Sequence, residues 1–230
     1  MKILLTNDDG INADGMCAFE THLRTLPNVT KVLTVAPRDG RSGCGHSVNN
    51  ETPFRFDEAG VDRYAVDSWP ADCVRLAILY LKFQPDLVLS GINHGGNLGV
   101  DILMSGTCSA AREAAWLNFP AIALSQYRQP SVTIDWQMSA IRGWQIVSQL
   151  AIQTEARRGF WNVNLPAISS QMTMPSPVVC PSERGSHMFQ LEPHADGVLY
   201  RSCYQHRLRS AGTDVDVCFS GRPSITFCEA

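Results

Sequence analysis

Two adjacent aspartates, Asp8 and Asp9, follow the first few residues in the sequence Asn7-Asp8-Asp9-Gly10. Two carboxylates held close together repel each other, and one of them then tends to keep its proton. A divalent cation removes that conflict, and hard oxygen ligands suit magnesium, manganese or calcium. The pair is therefore a candidate metal site. The same residues also suit an ordinary turn that caps the next helix.

The residues around the pair predict a strand, a turn and a helix. Ile3-Leu4-Leu5 predicts a short buried strand, and apolar residues at helical spacing resume at Met16, Phe19 and Leu23. A strand that leads into a helix opens an α/β unit, in which ligands bind outside the carboxyl ends of the strands. Gly10 permits the bend that two neighbouring side chains need in order to reach one point.

Further buried strands are predicted from apolar runs that end in proline or polar residues, and helices from apolar residues at helical spacing. The strands are predicted at 31–37, 87–89, 120–125 and 160–165, with short strands or extended arms at 52–56 and 62–66. One helix is predicted to begin at Ser68, one to span 105–116, and a long one with its apolar residues at 141–151 to end before Gly159. Residues 166–230 show little helical periodicity, so this tail is predicted to form extended strands or hairpins. Together the elements predict a single α/β domain over 1–230, with 127–230 supplying a last helix, a strand and the tail.

Three later loops also fall at the ends of predicted elements. Arg41-Ser42-Gly43 lies in a glycine-rich loop, and Ser90–Gly99 carries four glycines and two asparagines. Ser105-Gly106-Thr107 begins a helix, whose free N–H groups and positive dipole end suit a phosphate. Each segment alone also fits a plain surface loop or an ordinary capped helix.

The composition limits the kind of partner. The chain has 230 residues, 44% of them apolar, and a formal net charge of −3 without a basic run, so we expect no nucleic-acid duplex as partner. No apolar run approaches membrane-spanning length, and the N-terminus lacks a secretory signal, so we expect a cytoplasmic protein without a membrane partner. The eight scattered cysteines contain no C-x-x-C pair, which disfavours zinc and indicates small buried hydrophobes.

The four loops together resemble, in order and spacing, the motifs of the SurE family of survival-protein phosphatases. The matching segments are Asn-Asp-Asp-Gly-Ile-Asn-Ala from residue 7, Arg-Ser-Gly from 41, Ser-Gly-Ile-Asn-x-Gly-x-Asn-Leu-Gly from 90 and Ser-Gly-Thr-x-x-Ala-Ala from 105. Weaker matches follow at Asn162–Pro166, Gly212-Thr213-Asp214 and Ser224-Ile225-Thr226. The resemblance covers nearly the whole chain.

The resemblance implies a fold and an activity. It implies a Rossmann-like core, with a mostly parallel sheet flanked by helices, and a C-terminal β-rich extension exchanged between subunits of a homodimer or homotetramer. Residues 1–126 would then form the nucleotide-phosphatase core. The implied activity is divalent-metal-dependent hydrolysis of nucleoside 5′- and 3′-monophosphates, and in some members also of polyphosphate.

The resemblance also implies which residues act. One magnesium or manganese ion per subunit would be held by Asp8, Asp9, Ser42 and Asn93. Two carboxylates and two neutral oxygens leave room for water and for a phosphate dianion. We expect a metal-activated water to attack phosphorus. The expected holders of the non-bridging oxygens are Asn97, Ser105, Gly106 and Thr107.

The sequence departs from the family pattern at two histidines and one loop. His46 stands where relatives commonly have asparagine, and His94 lies within the Ser90–Gly99 loop. Either could protonate the leaving group, so His46 joins Asp8 and Asp9 as a candidate catalytic residue, or it could simply hydrogen-bond phosphate or backbone. Asp67-Ser68-Trp69-Pro70 replaces the usual Gly-Thr-Pro and is expected to border the substrate.

Other classes of protein fit less well. A haloacid-dehalogenase-type phosphatase expects Asp-x-Asp-x-Thr after the first strand, where this chain has Asn-Asp-Asp-Gly-Ile. A response-regulator receiver needs an aspartate at a later strand end, where Ser90-Gly91 stands. A catalytically weak nucleotide-binding or sensor protein on the same fold stays open as the non-enzyme alternative.

Overall fold

The computed structural model describes residues 1–151, 158–185, 190–201 and 204–230, in which two sheets are found. The strands are β1 (Lys2–Thr6), β2 (Lys31–Pro37), β3 (Phe56–Gly60), β4 (Arg63–Val66), β5 (Leu87–His94), β6 (Ala121–Gln126), β7 (Gly159–Leu165), β8 (Val178–Val179), β9 (Gln190–His194), β10 (Gly197–Arg201) and β11 (Ser224–Glu229). The main sheet has the order β3-β4-β2-β1-β5-β6-β7-β11-β8, and β9 pairs with β10 in a separate hairpin.

Most neighbours in the main sheet run parallel. β4, β2, β1, β5, β6 and β7 form a continuous parallel set. Antiparallel pairs occur where β3 meets β4 and where β11 meets β7. The chain passes from β1 to β2 on one side and later places β5 on the other, so the strand order reverses beside β1. Open α/β sheets bind ligands at such a reversal, outside the carboxyl ends of the strands.

Helices cover both faces of this sheet, as the Rossmann-like prediction requires. They are α1 (Asp14–Thr25), α2 (Pro70–Arg75), α3 (Asp101–Met104), α4 (Gly106–Trp116), α5 (Trp136–Ala151) and α6 (Asp214–Phe219), with a π-helical stretch at Leu76–Tyr80 and a 3₁₀ turn at Tyr204–His206. α1 packs against α5, and α2 packs against α4. The predicted fold class, a mostly parallel sheet flanked by helices, is confirmed.

Strand β1 shows why the central strands read as unbroken apolar runs. Ile3 and Leu5 lie in the core beneath α1 and α5, whereas Leu4 lies in the core on the opposite face. All three side chains are fully buried. A strand covered by helices on both sides has no solvent-facing residue, so it loses the polar alternation of a surface strand.

The central strands agree with the sequence prediction except β5, which was predicted to end at Leu89 and runs to His94, so half of the predicted 90–99 loop is strand. The peripheral elements differ more. Of the two alternatives for 52–56, the short strand is wrong, because β3 begins only at Phe56, and the helix whose apolar residues were noted at 141–151 begins earlier, at Trp136. The tail prediction missed α6 and the 3₁₀ turn. These elements span only six and three residues, too few for a helical period to stand out.

The tail contributes to both sheets. β11 pairs with β7 and so joins the sheet that β1 belongs to. The β9–β10 hairpin pairs only within itself among the described residues, and Leu191 and Val198 on it are exposed. The exchange of this extension between subunits and the division of the chain at residue 126 stay predictions.

Two further features bear on the composition-based expectations. No helix among the described residues is long and apolar enough to cross a membrane. The described cysteines are free thiols; Cys73, Cys108, Cys180 and Cys218 are buried, and Cys17, Cys44 and Cys228 are partly exposed. Cys203 lies outside the described residues.

Candidate active site

Asp8 lies where β1 ends, and two distant segments meet it there. The Thr107 hydroxyl at the start of α4 donates a hydrogen bond to Asp8 Oδ1. The Arg41 backbone N–H donates to the Asp8 carbonyl oxygen over 2.6 Å. The structure therefore brings the acidic turn, the Arg41-Ser42-Gly43 loop and the Ser105-Gly106-Thr107 helix start to one point, as predicted from the strand ends.

Asp9 faces a different segment. Its Oδ2 accepts a hydrogen bond from the backbone N–H of His94 over 2.7 Å. The carboxylate also lines a small pocket of about 290 Å³ together with His94 and Trp136. Asp8 is thus tied to the start of α4 and to the loop after β2, and Asp9 to the end of β5, so the pair contacts both sides of the strand-order reversal.

The environment of both aspartates disfavours bare negative charge. The pKa of Asp8 is raised to about 6, chiefly by burial and less by the neighbouring Asp9, against the lowering effect of the hydrogen bond from Thr107. Burial also raises the pKa of Asp9, opposed by the His94 backbone N–H. The contacts described above bring neutral hydrogen-bond donors to these oxygens, so a divalent cation fits the unmet charge.

Such a cation would need neutral ligands as well. The described residues contain no group of three or more histidine, cysteine, aspartate or glutamate side chains placed to hold a metal. Asp8 and Asp9 would therefore be completed by amide or hydroxyl oxygens and water, which is the ligand set that magnesium and manganese accept. This donor chemistry matches the predicted set of two carboxylates, one serine and one asparagine.

Asn93 and Ser42 are placed differently. The Asn93 side-chain N–H donates to the Gly95 carbonyl over 2.9 Å, which leaves the amide oxygen as the ligand end. Ser42 is exposed and directly follows Arg41, whose backbone contacts Asp8. The structure therefore brings the Ser42 loop to Asp8 and the Asn93 strand to Asp9, and the coordination by both residues stays a prediction.

Two glycines make this convergence possible. A Cβ on Gly106 would lie 2.7 Å from Asp8 Cβ and 2.9 Å from Cys44 Sγ, so only glycine lets the helix start approach Asp8. Gly91 has a φ of +137°, and a Cβ there would lie 2.1 Å from the Leu124 carbonyl oxygen. The register of β5 against β6 shifts between Ser90 and Asn93. This β-bulge changes the direction of the end of β5.

The first residues of α4 show which side chain caps the helix. Ser105 Oγ accepts a hydrogen bond from the Cys108 N–H over 3.0 Å, so Ser105 is the N-cap residue. The Thr107 hydroxyl is thereby free to reach Asp8. In the first turn of the helix the Thr107 N–H bonds the Asp8 carboxylate, and the Gly106 N–H suits an anion beside the aspartates. Their contact with phosphate stays a prediction.

Asn97 lies in a buried amide network beside this site. Its side-chain N–H donates to Ser125 Oγ over 2.8 Å, and its backbone N–H donates to Asn164 Oδ1 over 2.7 Å. The Asn97 carbonyl oxygen accepts from the side-chain N–H groups of Asn162 and Asn164. The weak motif at Asn162–Pro166 thus fixes the loop that carries Asn97, whose own phosphate contact stays a prediction.

The two predicted histidines differ in their distance from the aspartates. His46 Nε2 lies 2.8 Å from Glu113 Oε2, and the ring stacks on Trp116. Glu113 follows Gly106 by two helical turns, so these contacts lie roughly 10 Å along α4 from Asp8. His94 instead shares the small pocket with Asp9. The catalytic role of His46 stays a prediction, and the structure brings His94 nearer.

Sequence reasoning missed several residues near the site. Trp136 lines the Asp9 pocket and contacts the His94 ring edge-on, with centroids 5.4 Å apart. The helix predicted at 141–151 left this residue out, although an aromatic residue one turn before the apolar pattern was a usable signal. The Arg41 guanidinium lies over the Trp69 ring at 5.3 Å, so the unusual 67–70 loop contacts the Ser42 loop.

Fold and site together define an α/β protein with an acidic, oxygen-rich pocket at the carboxyl edge of a mostly parallel sheet. Residues 3–185 match the family model described as Survival protein SurE. The solved structure of the SurE protein from Aquifex aeolicus superposes with a TM-score of 0.86 at 30% identity, covering 100% of this chain and 93% of that one.

Full-length relatives agree with this match. A protein from Synechocystis sp. is 39% identical over 226 residues, 98% of both chains. The 5′-nucleotidase SurE of Roseobacter denitrificans is 35% identical over 241 aligned positions, covering 98% of this chain and 92% of the relative. The chain belongs to the SurE family.

Proposed function

We propose that this protein is a divalent-metal-dependent phosphatase that hydrolyses nucleoside 5′-monophosphates to nucleoside and phosphate. The observation that carries the proposal is the contact between Thr107 at the start of α4 and the buried carboxylate of Asp8. It sets an anion-binding helix start directly against a candidate cation site. The name 5′-nucleotidase SurE, borne by relatives such as that of Roseobacter denitrificans, supports a nucleotide substrate.

The residues divide the chemistry between them. Asp8, Asp9, Ser42 and Asn93 would hold one magnesium or manganese ion. When bound, such an ion polarises a phosphoryl oxygen and lowers the pKa of a bound water. The Gly106 N–H would donate to a non-bridging oxygen and stabilise the charge that develops there, while the Thr107 N–H faces the Asp8 carboxylate.

A leaving alkoxide needs a proton. Of the two predicted donors, His94 lines a pocket with Asp9, whereas the His46 ring is engaged by Glu113 and Trp116. His94 is therefore the better placed to protonate the leaving oxygen. We assign His46 a structural role instead. Its hydrogen bond to Glu113 links the loop that contains Ser42 to α4.

The proposal also covers further substrates, the cellular location and the oligomeric state. It includes activity on nucleoside 3′-monophosphates and on polyphosphate, a cytoplasmic location, and assembly into a homodimer or homotetramer. Neither a membrane nor a nucleic-acid duplex is proposed as a partner, since the net charge of −3 gives no attraction to either anionic surface.

A phosphate-release screen tests the proposal. Purified protein is incubated with AMP, GMP, CMP, UMP, 3′-AMP and polyphosphate, each with magnesium, with manganese, or with EDTA. We expect release from the 5′-monophosphates with metal and none with EDTA. Binding of AMP without release would favour the catalytically weak sensor, and release that persists in EDTA would contradict the metal dependence.

A further inference from the structure

The side chain of Glu113 is a buried carboxylate on α4 that takes no part in the phosphate chemistry described above. It is only 3% exposed. One oxygen accepts a hydrogen bond from Arg75 of α2 over 2.6 Å, and the other lies 2.8 Å from His46 Nε2. Burial alone would raise the pKa of Glu113, yet the bonds from His46 and Arg75 bring this pKa below its usual value. The carboxylate is therefore ionised at neutral pH and connects two other segments to α4.

The contacts of His46 fix its ring in one orientation and one tautomer. Nε2 faces the Glu113 carboxylate, which only accepts hydrogen bonds, so Nε2 carries the proton. Nδ1 lies 3.5 Å from Arg112 Nη1, which only donates, so Nδ1 is the acceptor. The ring also stacks on Trp116, with centroids 5.3 Å apart and 27° between the planes. The His46 side chain is thus held by three neighbours, and it fixes its end of the loop.

The segment around Ser42 has no attachment of its own. Within the described ranges, neither Ser42 nor Gly43 forms a hydrogen bond with another residue. A Cβ on Gly43 would meet nothing within 4 Å. On one side of this segment the Arg41 N–H is bonded to the Asp8 carbonyl oxygen, and on the other side the His46 ring is bonded to α4. The position of Ser42 therefore depends on these flanking attachments.

Helix α4 connects the two ends of the loop. Thr107 at its start bonds Asp8, and Glu113 lies six residues further along the same helix, roughly 9 Å away. The Gly45 N–H donates to the Met104 carbonyl oxygen just before α4 over 2.9 Å, which is a backbone contact at the same end of the loop. The loop is therefore attached to the acidic turn at one end and to α4 at the other, and α4 is itself bonded to that turn.

We infer that Glu113 is a positioning residue for metal binding, which sets the place of Ser42 through the His46 ring. The inference rests on the proposed function, because that function makes Ser42 a metal ligand. Removing a residue that orients a metal ligand typically weakens metal binding roughly ten- to hundredfold. Loss of the bond between Glu113 and His46 should therefore weaken metal binding although every ligand is still present.

The first test measures the loop in metal-free protein. Amide hydrogen exchange is followed by mass spectrometry in peptides that cover residues 38–48 of the wild type, His46→Ala and Glu113→Ala. Arg75→Ala and Glu113→Gln are the matched controls: Arg75 bonds the other carboxylate oxygen from α2, and the amide oxygen introduced by Glu113→Gln can still accept the His46 proton. Peptides from α5 report any global loss of stability.

We expect exchange in the loop peptides to be roughly tenfold faster in His46→Ala and Glu113→Ala, the size of one lost hydrogen bond to a charged group. The two control variants should exchange like the wild type in this loop. Equal acceleration in Arg75→Ala would make Glu113 a general stabiliser only, and unchanged exchange in His46→Ala would show that other contacts hold the loop. Neither outcome depends on whether the protein binds metal or hydrolyses phosphate esters.

The second test is a double-mutant cycle on manganese affinity, measured by electron paramagnetic resonance of the free ion. If His46 acts through Ser42, its substitution loses its effect once the Ser42 hydroxyl is gone. We expect roughly tenfold weaker binding in His46→Ala, no further weakening when His46→Ala is added to Ser42→Ala, and wild-type affinity in Arg75→Ala. Additive effects of His46→Ala and Ser42→Ala, or equal weakening in Arg75→Ala, would overturn the inference.

The two tests separate the inference from the proposed function. If the wild type binds no manganese while the loop exchange follows the expected pattern, the proposed function fails, whereas the positioning of the loop by Glu113 is supported. If the wild type binds manganese and His46→Ala binds it as tightly, the inference fails and the metal site stands.

Discussion

Asp8 is a buried acid whose environment lowers the stability of the metal-free fold. It is 3% exposed, and its pKa of about 6 reflects a carboxylate that folding has taken out of water beside a second one. A protein selected only for stability would place an apolar or amide side chain here. Residues that lower stability in this way concentrate at functional sites, where they serve binding or chemistry.

The first prediction concerns Asp8→Asn in metal-free protein. Because the folded-state pKa is raised, the unfolded chain releases this proton first, and stability is lost as the pH rises from about 4 to about 6. We expect Asp8→Asn to remove that loss and to raise the free energy of unfolding at pH 7 by up to about 3 kcal/mol. Urea denaturation in EDTA at pH 4.5 and pH 7 measures the free energy of unfolding of the wild type and of the variant.

The wild-type protein supplies the comparison, since the buried acids other than the neighbouring Asp9 titrate equally in both. The amide oxygen of the introduced asparagine would still accept the hydrogen bond that Thr107 donates. A variant less stable than wild type at pH 7 without metal would show that Asp8 stabilises the apo fold, and the prediction would be wrong. Added manganese should reverse the order, because only the wild type gains stability from the ion.

At the scale of elements, the tail fixes the loop that follows β5. Asp214, at the start of α6, accepts hydrogen bonds from the backbone N–H groups of Gly99 and Glu183 over 2.8 and 2.7 Å. Arg207 donates to the Leu98 carbonyl oxygen and forms an ion pair with Asp101. The tail thereby holds the loop that carries Asn97, although it lies far away in sequence.

The second prediction is that Asp214→Ala lowers the free energy of unfolding by roughly 1–3 kcal/mol, because the Gly99 N–H would stay buried without an acceptor. We also expect a lower kcat with little change in metal affinity, since the loop and not the aspartate pair is disturbed. Thermal unfolding and phosphate release from AMP measure the two effects.

Asp216→Ala is the matched control for this prediction. Asp216 lies two residues further along α6 and pairs with Arg209 at the surface, where ion pairs contribute little. Equal destabilisation by the two variants would show that α6 is merely sensitive to loss of acidic residues. Destabilisation by Asp214→Ala alone would support the tie to Gly99.

The elements also show what the sequence can and cannot predict. The strands β1, β2, β6 and β7 were predictable, because burial on both faces leaves unbroken apolar runs between polar turns. The convergence of Asp8 with the loop after β2, and of Asp9 with the end of β5, followed from the rule that strand ends meet at one edge. Membership of the four loops in one site could therefore be predicted.

The remaining features depend on long-range contacts. Trp136 and Tyr204 come from segments without a motif, and only the tertiary structure sets them around one cleft. The hydrogen-bond partner of His46 is Glu113, 67 residues further along the chain, and no local sequence pattern predicts that contact. The bulge in β5 likewise arises from its pairing with β6.

At the scale of the whole molecule, the β9–β10 hairpin carries an exposed apolar face. Leu191, Pro193 and Val198 share one face by the hairpin register. Leu191 is 64% exposed and Val198 69% exposed. A two-stranded hairpin is marginally stable alone, so an apolar face of this kind favours contact with a second subunit.

The third prediction is that Val198→Lys breaks the oligomer. A charge on the proposed contact face would be buried without a partner on association. Light scattering coupled to gel filtration should give two or four times the chain mass of 25.3 kDa for wild type and the single mass for the variant. Leu199→Lys, on the opposite face of β10, should leave the oligomer intact; a monomeric wild type would contradict the proposed assembly.

The central claim is that Asp8, Asp9, Ser42 and Asn93 hold one ion. Its most direct test is a manganese titration of metal-free protein, followed by electron paramagnetic resonance of the free ion. We predict one bound ion per subunit in the wild type, at least a roughly hundredfold weaker binding in Asp9→Asn, and no change in Asp14→Asn, an exposed acid in the same small pocket. Equal binding by wild type and Asp9→Asn, or none by wild type, would contradict the proposed metal site.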